Sequence, residues 1–266
     1  LHTATLHKPH VITHSHQDFV DTNITGTLHL LEAACAAGVK AFIFTSTTST
    51  FGDAMQPAAN QGAVWVTEQL RPIPKNIYGA TKTAAEDLCQ LFYRNRGLPC
   101  LVLRTSRFFA EMDDRKAMRL AYGDSNLKAN EYLHRRVDIE DIVDAHLLAM
   151  EKATAIGFQR YIISATTPFT PDDLYALRQN AIEVVHQRFP KFKQRYAQKG
   201  WKMFPSIERV YVNELARTEL QWQPRYDFQH ILDCLDQDRD YRSPLAIQIG
   251  SKGYHPESFE DGPYPI

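Results

Sequence analysis

From Asn76 to Thr105 the chain reads NIYGATKTAAEDLCQLFYRNRGLPCLVLRT. Apolar residues at helical spacing predict a helix from about Tyr78 to Arg96, with Gly97 as its stop. LPCLVLRT then reads as a strand whose nearly unbroken apolar run is buried on both faces. The same unit lies upstream, where QDFVDTNITGTLHLLEAACAAG (17–38) places Ile24, Leu28, Leu31 and Cys35 on one helix face and KAFIFTST (40–47) follows as a strand. It recurs downstream, where VDIEDIVDAHLLAMEKA (137–153) is an amphipathic helix and GFQRYIISA (157–165) a strand. Helices alternating with buried strands predict an α/β fold, a doubly wound parallel sheet covered on both faces.

Other stretches differ in character. Residues 107–132, RFFAEMDDRKAMRLAYGDSNLKANEY, are polar, and Thr170 to Lys202 reads as one or two charged helices broken at Pro190. They are expected to form a smaller substrate-binding subdomain over the carboxyl ends of the strands, where open α/β sheets bind ligands. The Rossmann-like core is assigned to 1–106, continued by 133–168 and 220–240. The subdomain takes 107–132, 169–219 and 241–266.

With 266 residues, 44% hydrophobic, the chain can bury a sizeable core. A formal net charge of -1 gives no bulk field toward nucleic acid or anionic membrane, and no apolar run approaches a membrane span. No nucleic-acid and no membrane partner is therefore expected, and the expected location is cytoplasmic. Cys35, Cys89, Cys100 and Cys234 are scattered without a C-x-x-C and read as reduced thiols. The amino-terminal His2, His7, His10, His14 and His16 lack metal-ligand spacing, so no metal is expected.

Tyr78 and Lys82 lie four residues apart at the start of a helix and share a face. A phenol is a poor acid-base catalyst near neutral pH until a cation favours its ionised form, and Lys82 can be that cation. The hydroxyls of FTSTTSTFGD (44–53) end the preceding strand, and Thr47 is the candidate to hold a substrate oxygen beside the phenol.

Six ordered segments together resemble the extended short-chain dehydrogenases/reductases, the group of NAD-dependent epimerases and dehydratases. LHTAT (1–5) is similar to the family's H-x-A-A segment after its fourth strand, and DTNITGTLHLLEAA (21–34) to its D-x-N-V-x-G-T helix. FIFTSTTSTFGD (42–53) is similar to F-x-S-S-x-x-x-Y-G-D, and YGATK (78–82) to the Tyr-Lys pair. RRVDIEDIVDAH (135–146) and ELARTELQWQPRYDF (214–228) resemble two later segments. The resemblance implies Tyr78 as acid-base catalyst, Thr47 as the substrate-orienting hydroxyl, and Lys82 lowering the phenol pKa while bonding the nicotinamide ribose. It implies NAD or NADP as cofactor, lined by Thr3, Ala4 and Thr5 and supported by Asn23 and Thr45, and it allows a homodimer. The expected activity is an NAD(P)-dependent epimerase or oxidoreductase acting on a hydroxyl or carbonyl carbon of a sugar-like or other polar small molecule, the expected partner. The alternative is a non-catalytic nucleotide-binding or regulatory protein on the same scaffold.

The chain departs from the family pattern in three places. RTSRFFAEMDD (104–114) has Arg107 where the family carries Asn, and His134 stands where nucleotide-sugar members often carry Arg. Thr47 is followed by Thr48 and Ser49 rather than the acidic pair of sugar 4,6-dehydratases. The substrate pocket is expected among Thr47, Arg107, Phe108 and Arg135, where the guanidiniums suit an anionic or polyhydroxylated ligand; the alternative is that both arginines are surface ion-pair partners of Asp113, Asp114 or Glu140. The resemblance also starts where the fourth strand ends. Leu1 is therefore expected to be a fragment boundary, with the Gly-rich phosphate turn and the first three strands absent from this chain.

Overall fold

The computed structural model describes residues 1–255 together with Phe259 and Gly262; the rest of the 241–266 assignment lies outside the described residues. Helix α1 (His16–Phe19) runs through a π-helical stretch, Val20–Thr25, into α2 (Gly26–Ala36), followed by β1 (Phe42–Thr47) and a short β2 (Val64–Val66). Next come α3 (Ile77–Arg96), β3 (Cys100–Thr105), α4 (Lys116–Ala121), α5 (Asp124–Glu131), α6 (Ile139–Ile156) and β4 (Phe158–Ile163). Then follow α7 (Leu174–Arg188), α8 (Phe192–Lys199), β5 (Arg209–Tyr211), α9 (Glu214–Glu219), α10 (Phe228–Asp236) and α11 (Pro244–Ile249).

Strands β1, β3 and β4 form a parallel sheet in that order, with Thr47, Thr105 and Ile163 aligned at their carboxyl ends. Alternation along each strand explains the two layers of helices. Phe42, Phe44, Cys100 and Val102 pack with Leu31 of α2 and Ala85, Cys89 and Phe92 of α3. Ile43, Leu101, Leu103, Tyr161 and Ile163 face the other way, onto Ile142, Ala145, Ala149 and Ala153 of α6. The parallel α/β architecture agrees with the sequence expectation. His2 adds one parallel bridge beside β1, its backbone bonded to Ile43 and Thr45.

Three local features differ from expectation. The first helix is not continuous, because it widens into π geometry around the buried Asn23. Strands β2 and β5, three residues each, pair in parallel with each other, too short to carry a sequence signal. Packing also crosses the assigned boundaries. Helix α10, placed with the core, turns Phe228, Ile231 and Leu232 into the cluster of Leu177, Val185, Phe192 and Tyr196, while α9, placed with the subdomain, sends Ala216 into the sheet's core.

Glu86 ties α3 to the sheet. Its fully buried carboxylate accepts from Ser46 Oγ on β1 (2.6 Å), Arg104 Nη2 on β3 (2.7 Å) and Arg160 Nε on β4 (3.1 Å). Breaking a buried ion pair by removing one partner costs about 3–5 kcal/mol, because the other charge stays buried alone. Glu86→Leu is therefore expected to destabilise by that order in urea unfolding, and adding Arg104→Met should recover a large part of the loss. A single-variant cost below about 1 kcal/mol would contradict the assignment.

Candidate active site

The site lies where the carboxyl ends of β1 and β3 meet the first turn of α3. Asn76 caps that helix, its side chain accepting from the Gly79 amide at 3.0 Å. Gly79 is required by contact: a Cβ there would lie 2.8 Å from the Ser49 carbonyl oxygen. This close approach brings Tyr78 against the turn that follows β1. Thr47 ends the strand and caps the turn, accepting from the Ser49 amide at 3.1 Å.

Tyr78 is buried and lines two cavities at once. One, of about 460 Å³, is bounded by Thr3, Thr5, Thr45, Ile142, Val143 and His146. The other, of about 210 Å³, is bounded by Thr47, Ser49, Arg107, Glu111, Arg135 and Arg209. Phe108 lines both, stacked on Phe109 with ring centroids 4.3 Å apart. The first cavity offers apolar surface from α6 for a flat ring and threonine hydroxyls for polar substituents, which suits a nicotinamide riboside. Ala4 is exposed and lines neither cavity.

The Tyr-Lys electrostatics differ from the expected phenol activation. Burial pushes Tyr78 up to about 12, opposed by a hydrogen bond with the Thr47 side chain. Burial brings Lys82 down to about 8, opposed by the Glu86 carboxylate. Lys82 does not lower the phenol here, because its ammonium donates to the Thr45 carbonyl at 2.8 Å and lies 3.9 Å from the Phe44 ring centroid. Tyr78 is thus held as a protonated phenol near neutral pH.

Asn23 supports the site from behind and lines neither cavity. Its Oδ1 accepts from Thr5 Oγ1 (2.8 Å) and the Leu6 amide (2.9 Å), while Nδ2 donates to the Leu6 carbonyl (2.9 Å) and Thr81 Oγ1 (3.0 Å). One side chain thereby locks the Thr3–Thr5 wall to the helix that carries Tyr78. Thr45 donates to His146 Nε2 at 2.7 Å, since His146 Nδ1 must donate to the Ile142 carbonyl. Burial lowers the His146 pKa and keeps that ring neutral.

Arg107 and Arg135 both reach the second cavity, in different electrostatic states. Arg107 Nη1 lies 2.8 Å from Asp113, 3.5 Å from Glu131 and 3.8 Å from Asp114, so its charge is already met by carboxylates. Arg135 pairs with Glu131 at 2.7 Å, a carboxylate it shares with Arg136. The amino-terminal histidines make ring contacts: His10 packs edge-on against His7, His14 and His255. Sequence reasoning missed Glu86, His146 and Arg209. Glu86 had a signal, lying one turn beyond Lys82 on the same helix face. His146 and Arg209 come from distant segments and had none.

The family model described as NAD dependent epimerase/dehydratase family matches residues 1–164. The UDP-glucose 4-epimerase of Rhizobium meliloti (strain 1021) is 27% identical over 264 residues, covering 85% of this chain and 76% of that protein. The UDP-glucuronic acid 4-epimerase from Bacillus cereus, solved with UDP-glucuronic acid and NAD, matches with TM-score 0.56 at 23% identity, covering 89% of this chain and 74% of that one. RMD from Pseudomonas aeruginosa, complexed with NADPH, matches with TM-score 0.55 at 19% identity, covering 91% and 81%. The structural likenesses show the Rossmann-type fold, and the NAD or NADP expected here is the cofactor class of that family. With its Tyr-Lys pair, parallel sheet and family match over most of its length, the chain belongs to the NAD dependent epimerase/dehydratase family.

Proposed function

We propose that the chain carries the catalytic site of a nicotinamide-dependent epimerase acting on a hydroxyl-bearing carbon of a nucleotide-linked or similarly anionic sugar. The observation that carries the reading is Tyr78 on the wall shared by two cavities, one suited to the nicotinamide and one to the substrate. Its nearest support from relatives is the likeness to UDP-sugar 4-epimerases.

A bound nicotinamide supplies the site that takes up and returns a hydride. Lys82, Thr45, Thr3 and Thr5 would hold it, with the alkyl side chains of α6 against the ring. Tyr78 then handles the proton. In its ionised form the Tyr78 oxygen would take the proton of the substrate hydroxyl, and the resulting phenol would return that proton to the same oxygen. Thr47, which lines the same cavity as the phenol, would orient the same oxygen. The phenol must lose its proton to act as base, and with its pKa pushed to about 12 this requires the Lys82 ammonium to turn from the Thr45 carbonyl toward the phenol and ribose.

Tyr78→Phe should leave NAD binding within about twofold while turnover of UDP-glucose, UDP-galactose or UDP-glucuronate falls by about two orders of magnitude or more. Undiminished turnover on an accepted substrate would refute the role.

Lys82 gives a stability test without substrate. Its folded pKa of about 8 lies below the unfolded value of 10.5, so between those pH values the unfolded chain binds a proton that the folded chain does not. Folded stability contributed through this group is reduced by about 3 kcal/mol below pH 8 and recovers as pH rises toward 10.5. Urea midpoints of the parent should therefore gain on those of Lys82→Met from pH 8 to pH 10. A constant difference, or one moving the other way, would show that the ammonium is not desolvated as described.

A further inference from the structure

Beside the two cavities that share Tyr78 lies a third, of about 280 Å³, roofed by the carboxyl-terminal part of the chain. Phe108, Phe109 and Ile139 form one wall, and Ala246 and Ile249 of α11 with the strap that follows, residues 250–254, form the other. His7, Phe108 and Phe109 border all three cavities, which therefore meet at one place. Tyr254 borders both the third cavity and the substrate-side one. Its ring stands edge-on to His7 and Phe109, with centroids 5.2 and 5.7 Å apart, and so completes the partition between them.

The strap has a defined attachment. Glu111 Oε1 accepts from Ser251 Oγ (3.1 Å), the Lys252 amide (3.0 Å) and the Gly253 amide (3.1 Å). Successive amides turned onto one carboxylate make a nest that holds an anion. Burial alone would raise the Glu111 pKa, but these bonds, with one from its own backbone, outweigh it and lower the value. On the other side of Tyr254, His255 Nε2 donates to the Pro9 carbonyl at 3.0 Å. The three bonds on Glu111 lie at the exposed surface, where water can replace them, so the fastening is reversible.

Size decides what this closure does. Ligand sites usually measure about 300–1,000 Å³, and the cavity beside Tyr78 has only about 210 Å³ while Tyr254 closes it. Joined to the third cavity, it enters that range. We propose that Tyr254 is a specificity-determining residue that closes the substrate-side cavity, that Glu111 is the positioning residue that latches it there, and that lifting the strap joins the two cavities to admit a nucleotide-linked sugar. The ligand class rests on reading this cavity as the substrate pocket. The closure does not, and it can be read without substrate.

A thiol placed inside the cavity reports on it. Ser49 borders the substrate-side cavity, and Ser49→Cys exchanges a single atom. Alkylation of that thiol by iodoacetamide and by the bulkier fluorescein maleimide is followed by mass spectrometry of its peptide, apart from the half-buried Cys35. Adding Tyr254→Ala or Glu111→Ala should speed the reaction by about tenfold, with the larger gain for the bulkier reagent. Glu111→Gln, which keeps an acceptor oxygen at the same reach without the charge, should fall between. Hydrogen exchange at the Lys252 and Gly253 amides should quicken in the same order, while the buried Cys89 and Cys100 stay unreactive. The proposal is overturned if Tyr254→Ala leaves the alkylation rate unchanged, if Glu111→Ala leaves exchange at those two amides unchanged, or if Cys89 and Cys100 gain reactivity in step with the introduced thiol. UDP-glucuronate should also associate about tenfold faster with Glu111→Ala than with the parent. If it binds neither protein while the thiol and exchange results hold, the nucleotide-sugar reading falls and the closure by Tyr254 stands.

Discussion

The Glu86 carboxylate is the point on which the architecture turns. It receives a hydroxyl from β1 and guanidinium groups from β3 and β4, so one side chain of α3 is fastened to every strand of the three-stranded sheet. Because helical side chains four residues apart share a face, fixing Glu86 fixes Lys82 one turn earlier and Tyr78 one turn before that. Glu86 also favours the charged form of Lys82 against the burial that opposes it. The network beneath the sheet's end and the chemistry above it are continuous.

A second constraint acts from the other side. Asn23 bonds both Thr5 and Leu6 and reaches Thr81 on α3, so the chain's first residues and that helix keep a set spacing. Gly79 then permits α3 to sit against the Ser49 carbonyl. Tyr78 is held between these two fixed surfaces, and the cavities on either side of it are a consequence of that position.

Much of this was legible in the sequence because it is periodic. The buried strands CLVLRT and FIFTST and the helices that follow or precede them announce a parallel α/β sheet, and Tyr78 with Lys82 at helical spacing announces a shared face. What stayed hidden depends on distance. Arg160 and Glu86 are 74 residues apart, and the His134–Arg209 bond spans 75 residues, so neither pairing has a local signature. Charge state was partly hidden for the same reason. Asp113 stood among the alternative partners for Arg107 and meets it, whereas the Glu131 carboxylate that Arg135 shares with Arg136 was not foreseen. The phenol's environment likewise follows from burial, which spacing alone does not reveal.

Tyr78 stands on the wall between two cavities, and the proposed function places the nicotinamide in one and the substrate in the other. A crystal structure of the chain with NAD and a UDP-sugar measures this directly. The account predicts the nicotinamide ring between α6 and Tyr78, the Lys82 ammonium on its ribose, and the sugar hydroxyl within hydrogen-bond distance, about 2.6–3.2 Å, of the phenol oxygen. A nicotinamide bound elsewhere, or a sugar whose reacting hydroxyl lies beyond reach of Tyr78, would contradict it.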